Sequence, residues 1–174
     1  MLIRRCTPTE LDEVGTIVND AAQAYRGVIA TDCWKEPYMS STELRKEVNE
    51  GVEFWGAFDG DELVAVMGLQ HVGDVALVRH AYTRTARQGS GIGKALLAHV
   101  GAQTDRPLLV GTWTAASWAI RFYENHGFRL LSPAYTEVLL RRYWTIPERQ
   151  IHDSVVLADA RWVATAWDSR GEHV

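Results

Sequence analysis

Apolar residues recur along the first half of the chain at two different spacings. Between Thr7 and Tyr25 the residues Leu11, Val14, Ile17, Val18, Ala21 and Ala22 fall three and four positions apart, one face of a helix that Thr7 or Thr9 can cap. The preceding LIRRC (residues 2–6) alternates and predicts a short strand. RGVIATDCWKEPYM (26–39) has no period and carries the breakers Gly27 and Pro37, while SSTELRKEVNEG (40–51) predicts a capped helix closed by Gly51. Residues 52–83 hold three apolar runs separated by Asp59-Gly60 and Gly73-Asp74, the composition of hairpin turns, so three successive antiparallel strands are expected.

The second half changes pattern. Ile92, Ala95, Leu96 and Val100 give one helical face, and PLLVGTW (107–113) is a short buried strand. Strand, glycine turn, helix and strand make a parallel crossover. SWAIRFYENHGF (117–128) predicts a helix stopped by Gly127, RLL (129–131) a strand, TEVLLRRYW (136–144) a short helix, and DSVVLADARWV (153–163) a final strand. The pattern reads as one domain over residues 1–167 and a loose tail over 168–174.

Composition narrows the classes. In 174 residues the apolar share is 47% and the charged share 23%, and no apolar run is long enough to span a bilayer, so no membrane role is expected. The start MLIRRCTPTELDEV lacks a signal-peptide core, which places the expected location in the cytoplasm. A net charge of −4 argues against a nucleic-acid partner. Cys6 and Cys33 form neither a CxxC pair nor part of a metal-ligand set, so no metal is expected. Seven tryptophans, among them Trp34, Trp113 and Trp144 beside polar residues, suit a cleft, an interface or a core, and exposed aromatics are compatible with a homodimer.

The candidate chemistry lies in RQGSGIGKALL (87–97), three glycines on alternate positions at a helix entry. A phosphate loop of the Gly-x4-Gly-Lys-Ser/Thr kind would need glycine where Gln88 stands and a hydroxyl where Ala95 stands. A dinucleotide fingerprint counted from Gly89 meets Lys94, and from Gly91 meets Leu96, where its third glycine belongs. What remains is Gln-x-x-Gly-x-Gly, Gln88 to Gly93, joining an antiparallel strand to a helix in mid-chain. Successive amides around Gly89 to Lys94, with the positive end of the helix behind them, form an anion nest, and Lys94 adds a charge.

This loop resembles that of the GNAT superfamily of acyl-CoA N-acyltransferases. Ala119, Ile120, Phe122, Tyr123, Gly127 and Phe128 match a second motif of that family, in the right order and about thirty residues on. The resemblance covers residues 2–131. It implies an α+β fold with a mixed, mostly antiparallel twisted sheet of six to seven strands, helices on both faces, and a splay after the fourth strand. It also implies acetyl-CoA or another acyl-CoA as co-substrate, held by Gln88, Gly89, Ser90, Gly91, Ile92, Gly93 and Lys94 and by the exposed backbone of Ala81, Tyr82 and Thr83. Tyr123 occupies the place of the general acid that protonates the departing thiolate; a phenol with an ordinary pKa of about 10 keeps its proton at neutral pH.

Two positions depart from the family. Ala116 stands where an asparagine often bonds the pantetheine, leaving Thr114 or Ser117 to replace that contact. The strand before the loop often supplies a glutamate or two histidines as base, and here offers only Arg79 and His80. Strand alternation puts His80 on the face opposite Leu77, Arg79 and Ala81, which favours a packed structural histidine; Glu53 reads as a surface carboxylate, and a water relay without a dedicated base is preferred. The acceptor, a primary amine of a small molecule or peptide, is expected near Tyr25, Arg26 and Trp34, with Arg79 and Trp113 as further candidates, and near Tyr135, Arg141, Arg142, Tyr143 and Trp144. The alternative is a catalytically weak module that senses acyl-CoA.

Overall fold

A computed structural model describes residues 1–163; the expected tail at 168–174 lies outside the described residues. The elements run β1 (Leu2–Arg5), α1 (Leu11–Ala22), α2 (Ser41–Asn49), β2 (Val52–Asp59), β3 (Glu62–Val72), β4 (Val75–Thr83), α3 (Ile92–Gly101), β5 (Leu108–Trp113), α4 (Ser117–Glu124), β6 (Arg129–Leu130), α5 (Pro133–Tyr143), α6 (Glu148–His152) and β7 (Ser154–Ala158). The seven strands form one sheet in the order β1-β2-β3-β4-β5-β7-β6, mostly antiparallel with β4 and β5 the parallel pair. This is the mixed α+β class expected from the sequence.

The chain divides into two compact units, Met1–His71 with Val78–Asp105, and Val72–Leu77 with the described residues from Arg106 onward. In the first unit β2 pairs antiparallel with β1, Leu2 opposite Phe58, and with β3, Phe54 opposite Gly68. Val14, Ile17 and Val18 of α1 and Leu44 of α2 bury their side chains among Val52, Phe54, Phe58, Leu63 and Val66. α1 begins after a 3-10 turn, Pro8–Glu10, whose entry is fixed by the Thr7 amide donating to the Glu10 carboxylate at 2.7 Å. α2 opens on a capping box: the Glu43 amide donates to Ser40 Oγ at 3.2 Å and the Ser40 amide to Glu43 Oε2 at 3.1 Å.

In the second unit β7 pairs antiparallel with β5, Leu109 opposite Ala158, and with β6, Leu130 opposite Leu157. Its core joins Val75 and Leu77 of β4, Leu109, Val156 and Ala158 to Leu139, Leu140 and Tyr143 of α5 and Ile151 of α6. α6 is not foreshadowed by any apolar spacing, because a five-residue helix with one buried residue, Ile151, is too short to show a period. Apolar spacing predicts strand throughout residues 153–163; the strand ends at Ala158, the Asp159 amide still donates to the Leu108 carbonyl of β5 at 3.0 Å, and the Val163 amide turns to the Asp159 carbonyl at 3.3 Å.

The buried Tyr143 donates its hydroxyl to Asp74 Oδ1 at 2.5 Å, tying α5 to the β3–β4 turn. Burial, then the hydrogen bond and charge of Asp74, push the Tyr143 phenol up to about 12. The protonated phenol is thus the form that folding favours: its contribution is complete below the unfolded value of about 10 and is lost as pH rises through the folded value. Tyr143→Phe is expected to lower unfolding free energy by about 1 kcal/mol at pH 8. In urea titrations the gap to wild type should narrow as pH rises from about 10 towards 12; a gap constant with pH would contradict this assignment.

Candidate active site

In the first unit β4 ends at Thr83 and the chain passes through a 3-10 turn, Thr85–Arg87, into the glycine loop. Gly89 and Gly91 have φ of +77° and +80°, conformations that side chains disfavour, and Gly91 is the residue that starts α3. A Cβ on either would meet nothing within 4 Å, so the glycines are required by backbone conformation and leave open space beside the loop. The first amides of α3, Ile92, Gly93 and Lys94, have no intrahelical acceptor, and Lys94 is exposed. This is the geometry of an anion nest, and it fits a pyrophosphate.

The loop is held from behind. Arg84 donates to the Leu63 carbonyl at 2.7 Å and to Glu13 at 2.9 Å, the Thr85 amide donates to Asp20 at 2.7 Å, and Arg87 bonds Asp59 at 2.7 Å and Glu62 at 2.9 Å. Gln88, expected among the cofactor ligands, donates its Nε2 to the Thr83 carbonyl at 3.2 Å, and Ser90 Oγ donates to the Arg87 carbonyl at 2.6 Å.

Along β4, Val75 to Val78 are buried and Arg79 to Thr83 are half-buried, which brings Ala81, Tyr82 and Thr83 closer to solvent than the strand's first half. The change falls at Arg79, next to His80, whose φ of +47° is the one positive value at a non-glycine residue among those described. Alternation from Arg79 to His80 therefore fails. Neighbours expected on opposite faces reach the same carboxylate, that of Glu47 on α2: Arg79 Nη2 at 3.1 Å from Oε1, and His80 Nε2 hydrogen-bonded to Oε2. Arg79 also donates to Gln70 at 2.7 Å, and the His80 ring stacks on Phe54 at 6.0 Å. Gly68 makes room, since a Cβ there would lie 2.8 Å from Val52 Cγ1 and 3.0 Å from the Arg79 carbonyl oxygen.

Glu47 does not stand out in the sequence as a candidate. Burial acts to raise its carboxyl, yet the hydrogen bond from His80 and the charges of His80 and Arg79 outweigh it and hold the group below the ordinary carboxylate value. The available signal is its place beside Leu44 and Val48 on the inward stripe of α2, an acidic residue where an apolar one is the rule. Glu53 pairs with Arg5 at 2.8 Å, a surface carboxylate as read from the sequence.

The loop between α1 and α2 carries a run of rings. Tyr25 is buried, with its ring 5.5 Å from Tyr38 and 6.3 Å from Tyr82, and Trp34 stacks on Tyr38 at 5.6 Å. Burial, reinforced by Tyr25 and Tyr38 around it, pushes the Tyr82 phenol well above its ordinary value. Arg26 is exposed at the edge of this group.

In the second unit Ser117 is the exposed first residue of α4, Thr114 is exposed and Ala116 is buried. Tyr123 is buried at 5% exposure, with the rings of Phe122 and Phe128 at 5.1 and 5.5 Å; the Phe128 amide donates to the Tyr123 carbonyl at 3.1 Å. Trp113 is buried. The arginine and aromatic cluster expected near the acceptor is engaged internally: Arg141 with Glu137 and Glu148, Arg142 3.7 Å from Asp74, Tyr143 with Asp74, Tyr135 against Trp162 at 6.0 Å, and the Trp144 indole where a Cβ on Gly111 would be 3.3 Å away. Among the described residues no group of three or more His, Cys, Asp or Glu side chains could hold a metal ion, and no helix is long and apolar enough to cross a membrane.

Residues 50–130 match the family model of the acetyltransferase (GNAT) domain. No match is found among the curated proteins. The fold is similar to that of the PaiA N-acetyltransferase from Thermoplasma acidophilum, crystallised with coenzyme A, at 18% identity and a TM-score of 0.66 over 91% of this chain and 97% of that one. It is similar as well to a GNAT-family acetyltransferase from Staphylococcus aureus Mu50 (18% identity, TM-score 0.68, 91% and 97% covered) and to the ribosomal-protein-S18-alanine N-acetyltransferase from Escherichia coli (18%, 0.64, 91% and 92%). The matched stretch includes both the glycine loop and the helix that carries Tyr123, and the chain shares the fold of these acetyltransferases.

Proposed function

We propose that the chain transfers an acetyl or other short acyl group directly from acyl-CoA to a primary amine of a small molecule or peptide. The observation that carries this reading is the loop from Gln88 to Lys94. Two left-handed glycines turn successive amides and the start of α3 towards open space, and the Arg87 guanidinium beside them is neutralised by Asp59 and Glu62. Backbone donors there hold the pyrophosphate, Lys94 adds charge, and the backbone of Ala81, Tyr82 and Thr83 pairs with the pantetheine arm.

In this reading the amine nitrogen attacks the thioester carbonyl, the carbon–sulfur bond breaks, and Tyr123 gives its phenolic proton to the thiolate. Ser117 or Thr114 supplies the pantetheine contact that Ala116 lacks, and the amine sheds its proton through water. The ring-lined loop that contains Tyr25 and Arg26 receives the acceptor. A second reading, an acyl-CoA sensor that transfers nothing, draws on the same buried Ala116, which offers no hydrogen bond.

Acetyl-CoA with a panel of 2-phenylethylamine, putrescine and an alanine-initiated peptide, followed by thiol release, separates the two readings: sustained release with any amine excludes a sensor. Tyr123→Phe is expected to lower kcat roughly 10²-fold with the acetyl-CoA dissociation constant unchanged; unaltered turnover would remove Tyr123 from the mechanism. Gly91→Val forces a β-branched residue into φ near +80° and is expected to weaken acetyl-CoA binding by about tenfold or more, measured calorimetrically.

A further inference from the structure

The first unit holds a cavity that acyl transfer leaves unused. It lies between α1 and α2, with a volume of about 460 Å³, a size that suits a small molecule. Leu11 and Gly15 of α1, Leu44 of α2 and Met39 give it an apolar lining. On α1 the lining recurs at Leu11, Gly15 and Asn19, a stripe beside that of Val14, Ile17 and Val18, which faces the core. Gly15 lets the helices approach, since a Cβ there would lie 3.4 Å from Leu44 Cδ2. Neither the glycine loop nor Tyr25, Arg26 or Trp34 contributes to the cavity.

The polar side chains around it are of two kinds. Asn19 and Thr16 are committed to backbone: Asn19 Nδ2 donates to the Gly15 and Met39 carbonyls at 2.9 Å, its Oδ1 accepts from the Met39 amide at 2.8 Å, and Thr16 Oγ1 donates to the Asp12 carbonyl at 3.0 Å. Asp12 of α1 and Arg45 of α2 stand at the mouth, 80% and 60% exposed, joined by a single contact of 3.2 Å from Nη2 to Oδ1. An exposed pair of this kind contributes little to stability, and it leaves Asp12 Oδ2 and the other guanidinium nitrogens without a partner among the described residues. A carboxylate on one helix and a guanidinium on the other, above an apolar cavity, complement a molecule with an ammonium and a carboxylate side by side on an apolar body. That is an aliphatic α-amino acid. A ligand with one charge would satisfy one of the pair and lie against the like charge of the other.

Both helices also reach the segment that carries the glycine loop. From α1, Glu13 bonds Arg84 at 2.9 Å and Asp20 accepts from the Thr85 amide at 2.7 Å; from α2, Glu47 meets Arg79 and His80. We propose that the cavity binds an aliphatic α-amino acid as an effector, with the ammonium on Asp12, the carboxylate on Arg45 and the side chain among Leu11, Met39 and Leu44, and that its occupancy strengthens coenzyme A binding at the glycine loop. An occupant that bridges α1 and α2 removes freedom between the helices that hold the loop, so coenzyme A has less to order when it binds. By linkage, coenzyme A strengthens amino-acid binding by the same factor. The binding site is independent of the acyl-transfer reading; its effect on the loop rests on that reading.

Leucine is the probe, added to the full chain without any acyl-CoA and followed by proton–nitrogen NMR. Saturable shifts are expected, centred on residues 11–19 and 39–45. Glycine lacks the apolar body, 3-methylbutylamine the carboxylate and 4-methylpentanoate the ammonium, and each should bind about tenfold or more weakly than leucine. Asp12→Asn and Arg45→Gln are exposed substitutions that leave the chain folded by circular dichroism, and each should weaken leucine binding by about tenfold. Calorimetry with coenzyme A, which has no acyl group to transfer, should show binding about fivefold tighter in saturating leucine. Shifts that fail to saturate, a singly charged analogue that binds as well as leucine, or leucine affinity unchanged in both variants overturns the site. Saturable leucine binding with an unchanged affinity for coenzyme A overturns the effector role. A wild type that binds no coenzyme A overturns the acyl-transfer reading and the effector role together, while the leucine titration still decides the site.

Discussion

A strand cannot be fully buried and also offer its backbone to a partner from outside the protein. β4 divides burial and access along its length. Val75 to Val78 close the core, and from Arg79 onward the side chains are half-buried. Beside this transition lies one irregular backbone conformation, the positive φ of His80, where strand alternation fails. The glycine loop, the half-buried segment Ala81 to Thr83 and the contacts to Glu47 all adjoin this strand.

The groups around the glycine loop show a division of labour between charge and backbone. Arg84 and Arg87 lie in sequence where phosphate ligands would be sought, yet each is compensated by carboxylates of earlier elements, Glu13, Asp59 and Glu62. Partly exposed pairs of this kind contribute at most about 1 kcal/mol each to stability. Their effect is to fix where the loop begins. In the proposed reading the pyrophosphate is left to Lys94, the amides and a helix end, and the amides do not have to be reoriented when an anion arrives.

Much of this is legible in the amino-acid sequence. Apart from α6 and the extent of the last strand, the order of strands and helices follows from apolar spacing, and the hairpins and the loop follow from glycines at Gly60, Gly73, Gly89 and Gly91, all of which take positive φ. Local rules suffice wherever a local conformation is at stake. They fail at Glu47 and His80 because alternation assumes a regular strand, and what breaks it is a contact between residues 33 apart in sequence. They fail likewise for Arg141 and Tyr143, whose polar and aromatic character suggests a ligand but whose partners are Glu148 and Asp74 of the same unit. Residue type indicates that a group needs a partner; only the fold says which.

Gly68 shapes its neighbours through an atom it does not have. Its missing Cβ makes room for the Arg79 carbonyl oxygen and for Val52 Cγ1, both of which would otherwise be in collision with it. Any side chain at position 68 must therefore displace the backbone of the neighbouring strand beside His80. A substitution at this position on β3 is therefore felt on β4, at the carbonyl that joins Arg79 to His80, and on β2 at Val52.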